Sequence, residues 1–200
     1  MKKKEKTVEM TITAIFIALL LIQTFVPDIG YIRIIPALPA ITTIPLTIAI
    51  YGSLMGPKMG ASFGLFWGLT RMVVAYTQPG DMVSLLLFRN PVISILPSVL
   101  AGWLVGLITS KIGHKKAGYV FGGAVASLIN TIMVILLATL FFMHNPTSLT
   151  SFMGHFSQGT PLFVILVLSL GLNGLVEAIF TAVAVPFIMI PLNYIKKRAM

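Results

Sequence analysis

Apolar runs long enough to cross a lipid bilayer recur six times along this chain, and that repetition leaves little room for a water-soluble fold. Crossing the hydrocarbon as a helix takes about 20 apolar residues. The runs fall at about 8–26, 38–55, 58–77, 91–110, 117–143 and 161–194. Of the 200 residues, 57% are apolar and 10% charged, against roughly 25% charged in a typical soluble domain. A chain of this size keeps too much surface exposed to hide that apolar excess in one core. The expected fold is an all-α polytopic membrane protein: a single transmembrane domain built as a bundle of six helices. The second run carries Pro39 and Pro45, which neighbouring helices can accommodate in a membrane. The sixth is too long to lie straight across, and Pro186 and Pro191 are expected to bend it or lead it out of the membrane. The first run exceeds the core of about 7–15 residues of a signal peptide. Pro27-Asp28 follows it without a small-x-small cleavage site, so it reads as a retained helix.

The formal net charge of +9 raises the question of nucleic acid, and the placement of the charge answers it. Lys2, Lys3, Lys4 and Lys6, then Lys58, then Lys111, Lys115 and Lys116, then Lys196, Lys197 and Arg198 each sit at the end of an apolar run, not on one polar face. Membrane proteins mark their cytoplasmic side this way. With six helices and the amino terminus inside, the two tails, the 56–58 turn and the 111–116 loop are cytoplasmic. They hold every Lys and Arg except Arg33, Arg71 and Arg89. The inverted topology would place all of those cations outside, so both termini are expected in the cytoplasm. The connections on the other side, about 27–37, 78–90 and 144–160, are longer. They serve either as a lid over an outward cavity or as passive connectors. No internal repeat of the kind common in secondary transporters is visible.

Within the runs, Gly56, Gly60, Gly64 and Gly68 recur every fourth residue, and Gly102 with Gly106 repeats the spacing. Small residues at that spacing let a neighbouring backbone approach closely, so ordinary helix packing is the expected role. Ala14 and Ala18 make a small-xxx-small pair that by itself reads as internal packing, with a docking groove for another membrane protein as the alternative. Ionisable groups inside a span point to function. Arg71 lies about 20 Å along the third helix at 1.5 Å per residue, with Trp67 one turn before it. Arg89 and Asn90 stand at the mouth of the fourth helix, Asn130 is in the middle of the fifth, and Asn173 and Glu177 are one turn apart in the sixth. Guanidinium, amides and an indole suit a small anion bearing amide or hydroxyl groups: Arg grips a carboxylate in a fork, Asn donates and accepts, and Trp offers a flat apolar wall. For Arg71 the alternative is a structural ion pair with Glu177; for the asparagines it is bridging between helices.

Catalysis has little support. Cysteine is absent, His114, His144 and His155 form no metal-ligand pattern, and no pair of carboxylates is placed for acid–base work. No Walker sequence occurs, so any energy comes from a partner or a gradient. Neither a cofactor nor a metal is expected.

Several stretches carry a family resemblance. Ala14-Ile-Phe-Ile-Ala18, Ala40-Ile-Thr-Thr-Ile-Pro45, the G-P-x-x-G turn within Leu54 to Ala61, GLFWGLT from Gly64, FRNPVISILP from Phe88, and Asn173-Gly-Leu-Val-Glu177 together resemble the S component of an energy-coupling-factor (ECF) vitamin transporter of the pantothenate type. The likeness covers almost the whole chain and departs at Ser98, where the pattern has arginine. The resemblance implies a subunit in a prokaryotic-type cell membrane that captures pantothenate, or a similar small anionic vitamin, from outside. It implies a pocket capped by the first and third outer loops, a shared transmembrane coupling subunit and two ATPase subunits. It makes Trp67, Arg89, Asn90, Asn130 and Asn173, beside Arg71, the substrate-binding candidates. Ala14 and Ala18 become the docking surface. The competing classes are a self-sufficient secondary transporter, an intramembrane enzyme and a membrane scaffold.

Overall fold

Gly56 and Pro57 set the sharpest turn of the chain. Gly56 adopts φ +82°, a backbone conformation that side chains disfavour, and ends one helix; Pro57, whose fixed φ suits a first helical position, begins the next. In the computed structural model, which describes residues 2–26, 29–32, 41–113, 115–153 and 159–199, these helices are α2 (Ile44–Met55) and α3 (Pro57–Thr77). Before them come α1 (Lys2–Phe25) and two short antiparallel strands, β1 (Tyr31–Ile32) and β2 (Ile41–Thr42), which pair Tyr31 with Thr42 and Ile32 with Ile41. After them come α4 (Met82–Phe88), α5 (Pro91–Ile112), α6 (Lys116–Phe142), α7 (Thr147–Thr150) and α8 (Leu162–Leu166). A π-helical turn, Val167–Gly171, then leads into α9 (Leu172–Ala199). Pro27, Asp28, Arg33, Pro39, Ala40, His114 and His155 lie outside the described residues.

The protein is overwhelmingly helical. Among the described residues, four helical segments are long and apolar enough to cross a membrane: Glu5–Phe25, Pro91–Ile112, Lys116–Phe142 and Leu162–Ile195. Two of the six runs read from the sequence do not meet that standard on their own. α3 is 21 residues long, but Lys58, Arg71 and its glycines dilute its apolar character. α2 is a 12-residue helix, about 18 Å at 1.5 Å per residue. It starts at Ile44 and not near 38, because Ile41–Thr42 are drawn into the hairpin and Pro45 presets the first turn of the helix. Ten of its residues are buried, which places it at the centre of the bundle, against α1, α3, α5, α6 and α9. α9 continues as one helix through Pro186 and Pro191, and a π turn interrupts the α-geometry earlier in the sixth run.

The glycine stripe does what its spacing implies. A Cβ at Gly60 would collide with the Gly102 carbonyl, one at Gly64 with the Ser98 carbonyl, and one at Gly68 would lie 2.7 Å from Ile95 Cα. α3 and α5 therefore meet backbone to backbone. Ser94 Oγ crosses the seam to donate to the Gly68 carbonyl at 2.7 Å. Ser98, fully buried at this seam, donates to the Ser94 carbonyl at 2.9 Å; the small residue belongs to the close contact. A second seam joins α6 to α9, where a Cβ at Gly123 would collide with the Thr181 carbonyl and one at Gly174 with the Thr131 side chain. Thr181 Oγ1 donates to the Gly123 carbonyl at 2.8 Å.

Two apolar cores result. One centres on Phe16, Tyr51 and Phe63, with the Tyr51 and Phe63 ring centres 4.3 Å apart. It joins α1, α2 and α3. The other gathers Leu87, Ile93, Val134, Ile135, Leu149 and Leu166. Leu87 and Leu149 pin α4 and α7, so parts of the long connections 78–90 and 144–160 are packed on the bundle, not free spans. Ala14 and Ala18 are exposed on α1, beside the exposed Ile15, Leu19 and Ile22, while Phe16 and Leu20 face inward. Internal packing of the alanine pair is thereby ruled out: its face of α1 is turned away from the bundle.

Candidate functional site

An arginine inside an apolar bundle must be compensated by its surroundings, and two aromatic faces lie against Arg71. Residues four apart lie on one face of a helix, so Trp67 in α3 reaches the Arg71 guanidinium, whose carbon lies 4.2 Å from the ring centre. Phe88, at the end of α4, brings a second ring to 4.4 Å. Both distances are well inside the range of about 6 Å over which a cation is attracted to a ring face. Arg71 Nη1 also donates to Asn130 Oδ1 of α6 at 3.3 Å. Trp67 is 2% exposed, and Asn130 is buried. Three separate elements thus converge on one guanidinium.

Beside this cluster stands a carboxylate. Glu177 of α9 is 5% exposed. Its Oε1 accepts from the Thr42 N–H at 2.7 Å and its Oε2 from Ser127 Oγ at 3.2 Å. Glu177 and Asn130, the amide that Arg71 bonds, both lie within one turn of the Gly174–Thr131 contact between α9 and α6, so the two roles weighed for Arg71, cargo contact and partner of Glu177, share one locality. Glu177 has a further duty the sequence did not announce, holding β2 against α6 and α9.

The remaining candidates are placed as follows. Arg89 is exposed; its Nε donates to the Ala75 carbonyl at 3.3 Å and its guanidinium carbon lies 5.0 Å from the Tyr76 ring centre. A cation at the carboxyl end of α3 complements the helix dipole. Asn90 caps α5, its Oδ1 accepting from the Val92 N–H at 2.9 Å. Both adjoin Phe88 in the chain, at the same end of the bundle as Arg71. Asn173 is half-buried on α9, one turn before Glu177 and next to the Gly174–Thr131 contact. Trp67, Arg71 and Asn130 are therefore brought into direct contact, and Arg89 and Asn90 are engaged at the α3–α4–α5 junction.

Sequence reasoning did not single out Phe88, Ser127 or Gln23. Gln23 is buried on α1, where its Oε1 accepts from Thr47 at 2.8 Å and its Nε2 donates to Thr43 Oγ1 at 3.0 Å. An amide within an otherwise apolar run was a usable signal. Phe88 opens the FRNPVISILP stretch but nothing marked its ring as a partner for Arg71, and Ser127 gave no signal, since serine is common in such helices.

The arrangement offers a cation steadied by rings and an amide, beside hydroxyls and a carboxylate, at the end of a helical bundle that carries the long connections. Two known proteins are similar over most of their length. A pantothenate transporter, PanT, of Leuconostoc mesenteroides subsp. mesenteroides is 36% identical over 160 residues, covering 75% of this chain and 77% of that protein. A pantothenic acid transporter, PanT, of Lactococcus lactis subsp. cremoris is 27% identical over 153 residues, covering 70% and 76%. The family described as "ECF transporter, substrate-specific component" matches residues 8–189. With its membrane-length helices and a match that runs through nearly the whole bundle, this chain belongs to the substrate-specific components of the ECF transporters.

Proposed function

We propose that this subunit captures pantothenate outside the cell and delivers it inward together with a transmembrane coupling subunit and two ATPase subunits. The observation that carries the reading is the Arg71 guanidinium held against Trp67 and Phe88 and bonded to Asn130. A pre-positioned cation flanked by aromatic faces and an amide meets the needs of a carboxylate whose tail bears hydroxyls and an amide. Both PanT relatives are transporters of pantothenate, in agreement with this reading. Trp67, Arg71 and Asn130 are the first proposed contacts, with Asn173, Arg89 and Asn90 at the same end.

In this reading six helical segments lie in the membrane of a prokaryotic cell with both termini in the cytoplasm, as the distribution of Lys and Arg favours. The short α2 is compatible with it, because its neighbours and not lipid surround it. The chain carries no Walker sequence, so ATP hydrolysis falls to the partners. Ala14 and Ala18, on the open face of α1, form the proposed contact with the coupling subunit.

The test is uptake of labelled pantothenate by cells that lack their own importer. Expression with a coupling subunit and two ATPases should give uptake, and the chain alone should not. Uptake by the chain alone would instead identify a self-sufficient secondary transporter. Uptake of a different vitamin would replace the cargo but keep the mechanism.

A further inference from the structure

α1 is the least buried of the membrane-length helices. Of its described side chains only Phe16, Leu20, Gln23 and Thr24 are buried. In lipid an apolar helix gains no hydrophobic energy by turning one apolar face inward, because lipid tails are as apolar as the side chains. Ile15, Leu19 and Ile22 on the open face are as apolar as Phe16 and Leu20 on the packed one. Phe16 and Leu20 select the inward side by their fit, and polar bonds are what can hold the helix in that rotation.

Two such bonds flank the alanine pair. Toward the carboxyl end of α1, Gln23 bonds to Thr43 and Thr47 at the start of α2. Toward the amino end, Thr13 Oγ1 lies 3.0 Å from the Tyr51 hydroxyl of α2 and donates to the Glu9 carbonyl at 2.8 Å. A hydroxyl has one proton to donate. That of Thr13 is committed to Glu9, so Tyr51 is the donor between the two helices. The result is a relay, Tyr51 to Thr13 to the Glu9 carbonyl, in which each bond strengthens the next. The Tyr51 ring cannot follow a turning α1. It is 1% exposed and packed between Phe16 and Phe63, with ring centres 5.4 and 4.3 Å away. Rotation of α1 would leave its hydroxyl in the apolar core without an acceptor, which is costly. Successive residues of an α-helix are about 100° apart, so holding Thr13 against Tyr51 fixes the direction of Ala14 and, one turn on, of Ala18.

We propose that Tyr51 is a positioning residue for coupling: its hydroxyl, through Thr13, locks the rotation of α1 that turns Ala14 and Ala18 toward the coupling subunit. The coupling half of this statement rests on the docking reading above; the lock does not.

The test uses the full chain in lipid nanodiscs. The chain has no cysteine, so spin labels can be attached through Ile15→Cys and Leu136→Cys, both at exposed positions, and the distance between them measured. The parent should give one narrow distance. Tyr51→Phe and Thr13→Val should each broaden it or add a second, and Thr13→Ser, which keeps the hydroxyl, should match the parent. Without labels, and with a coupling subunit and two ATPases, Tyr51→Phe and Thr13→Val should take up pantothenate about fivefold more slowly than the parent, while each isolated chain binds it within about twofold of the parent. The double variant should be no slower than either single, because both remove the same bond. An unchanged narrow distance in both Tyr51→Phe and Thr13→Val would overturn the lock. Full uptake in both, or binding that weakens in step with uptake, would overturn its role in coupling. A double variant slowed by the product of the two singles would overturn the shared bond as the cause. If the parent takes up no pantothenate, or Ala14→Trp with Ala18→Trp leaves uptake intact, the reading above falls, and the distances alone decide the lock.

Discussion

The Arg71 guanidinium carbon lies 4.2 Å from the ring centre of Trp67, one helical turn earlier on α3. The pair gives a half-buried charge an orientation. A ring below the guanidinium sets its plane, and Phe88 from α4 and Asn130 from α6 add a second ring and an amide.

Arg71→Lys keeps the charge and loses the planar group that stacks on rings and pairs in a fork. Loss of one desolvated cation–ring contact costs about 2 kcal/mol, so affinity for pantothenate should fall by a factor of roughly 30. Arg71→Ala should lose more. Calorimetric titration of the two variants checks the order; equal affinity of Arg71→Lys and the parent would show that charge alone suffices.

The glycine seam makes a stability prediction that is independent of cargo. Gly64→Ala drives a methyl into the Ser98 carbonyl, while Gly171→Ala meets only Val167 Cγ1 at 3.7 Å, an ordinary contact. Overpacking of this kind costs about 1–3 kcal/mol. Thermal melting in detergent should therefore show a lowered midpoint for Gly64→Ala and little change for Gly171→Ala.

Ala14→Trp with Ala18→Trp adds bulk on an exposed face of α1. Nothing inside the bundle is displaced, so binding and melting should match the parent while coupled uptake is abolished. Measuring uptake and binding on the same double variant separates docking from folding. Retained uptake would remove the docking assignment.

Asn90 carries a structural duty that a binding assay must be corrected for. Asn90→Ala should lower stability by about 1 kcal/mol through loss of the α5 cap, and Asn90→Ser, an uncharged capping residue, should restore it. If affinity recovers along with stability in Asn90→Ser, the effect is carried by the cap. If affinity stays low, the amide itself meets the cargo.

Much of this was legible in the sequence, for stated physical reasons. Apolar length announced α1, α5, α6 and the last helix, and fourfold glycine spacing announced that α3 and α5 each pack closely on a neighbour, though not that they pack on each other. The placement of Arg71 above Trp67 followed from a spacing of four residues. The start of α2 was not legible, because a long-range strand pairing between Ile32 and Ile41 outcompetes the helix there. The direction in which Ala14 and Ala18 face was equally hidden. Small residues suit an interior and an exposed groove alike, and only the inward pull of Phe16 and Leu20 decides. The hydrogen bond from the Thr42 N–H to Glu177 spans 135 positions and uses main chain, so no side-chain pattern could reveal it.

If this chain by itself holds the recognition site for pantothenate, the purified chain in detergent should bind it without partner subunits. Calorimetric titration with pantothenate and a panel of other vitamins should show saturable binding of pantothenate at one site per chain, no heat from the other vitamins, and loss of the signal in Arg71→Ala. Absence of pantothenate binding by well-folded protein, or binding that Arg71→Ala leaves intact, would overturn the assignment.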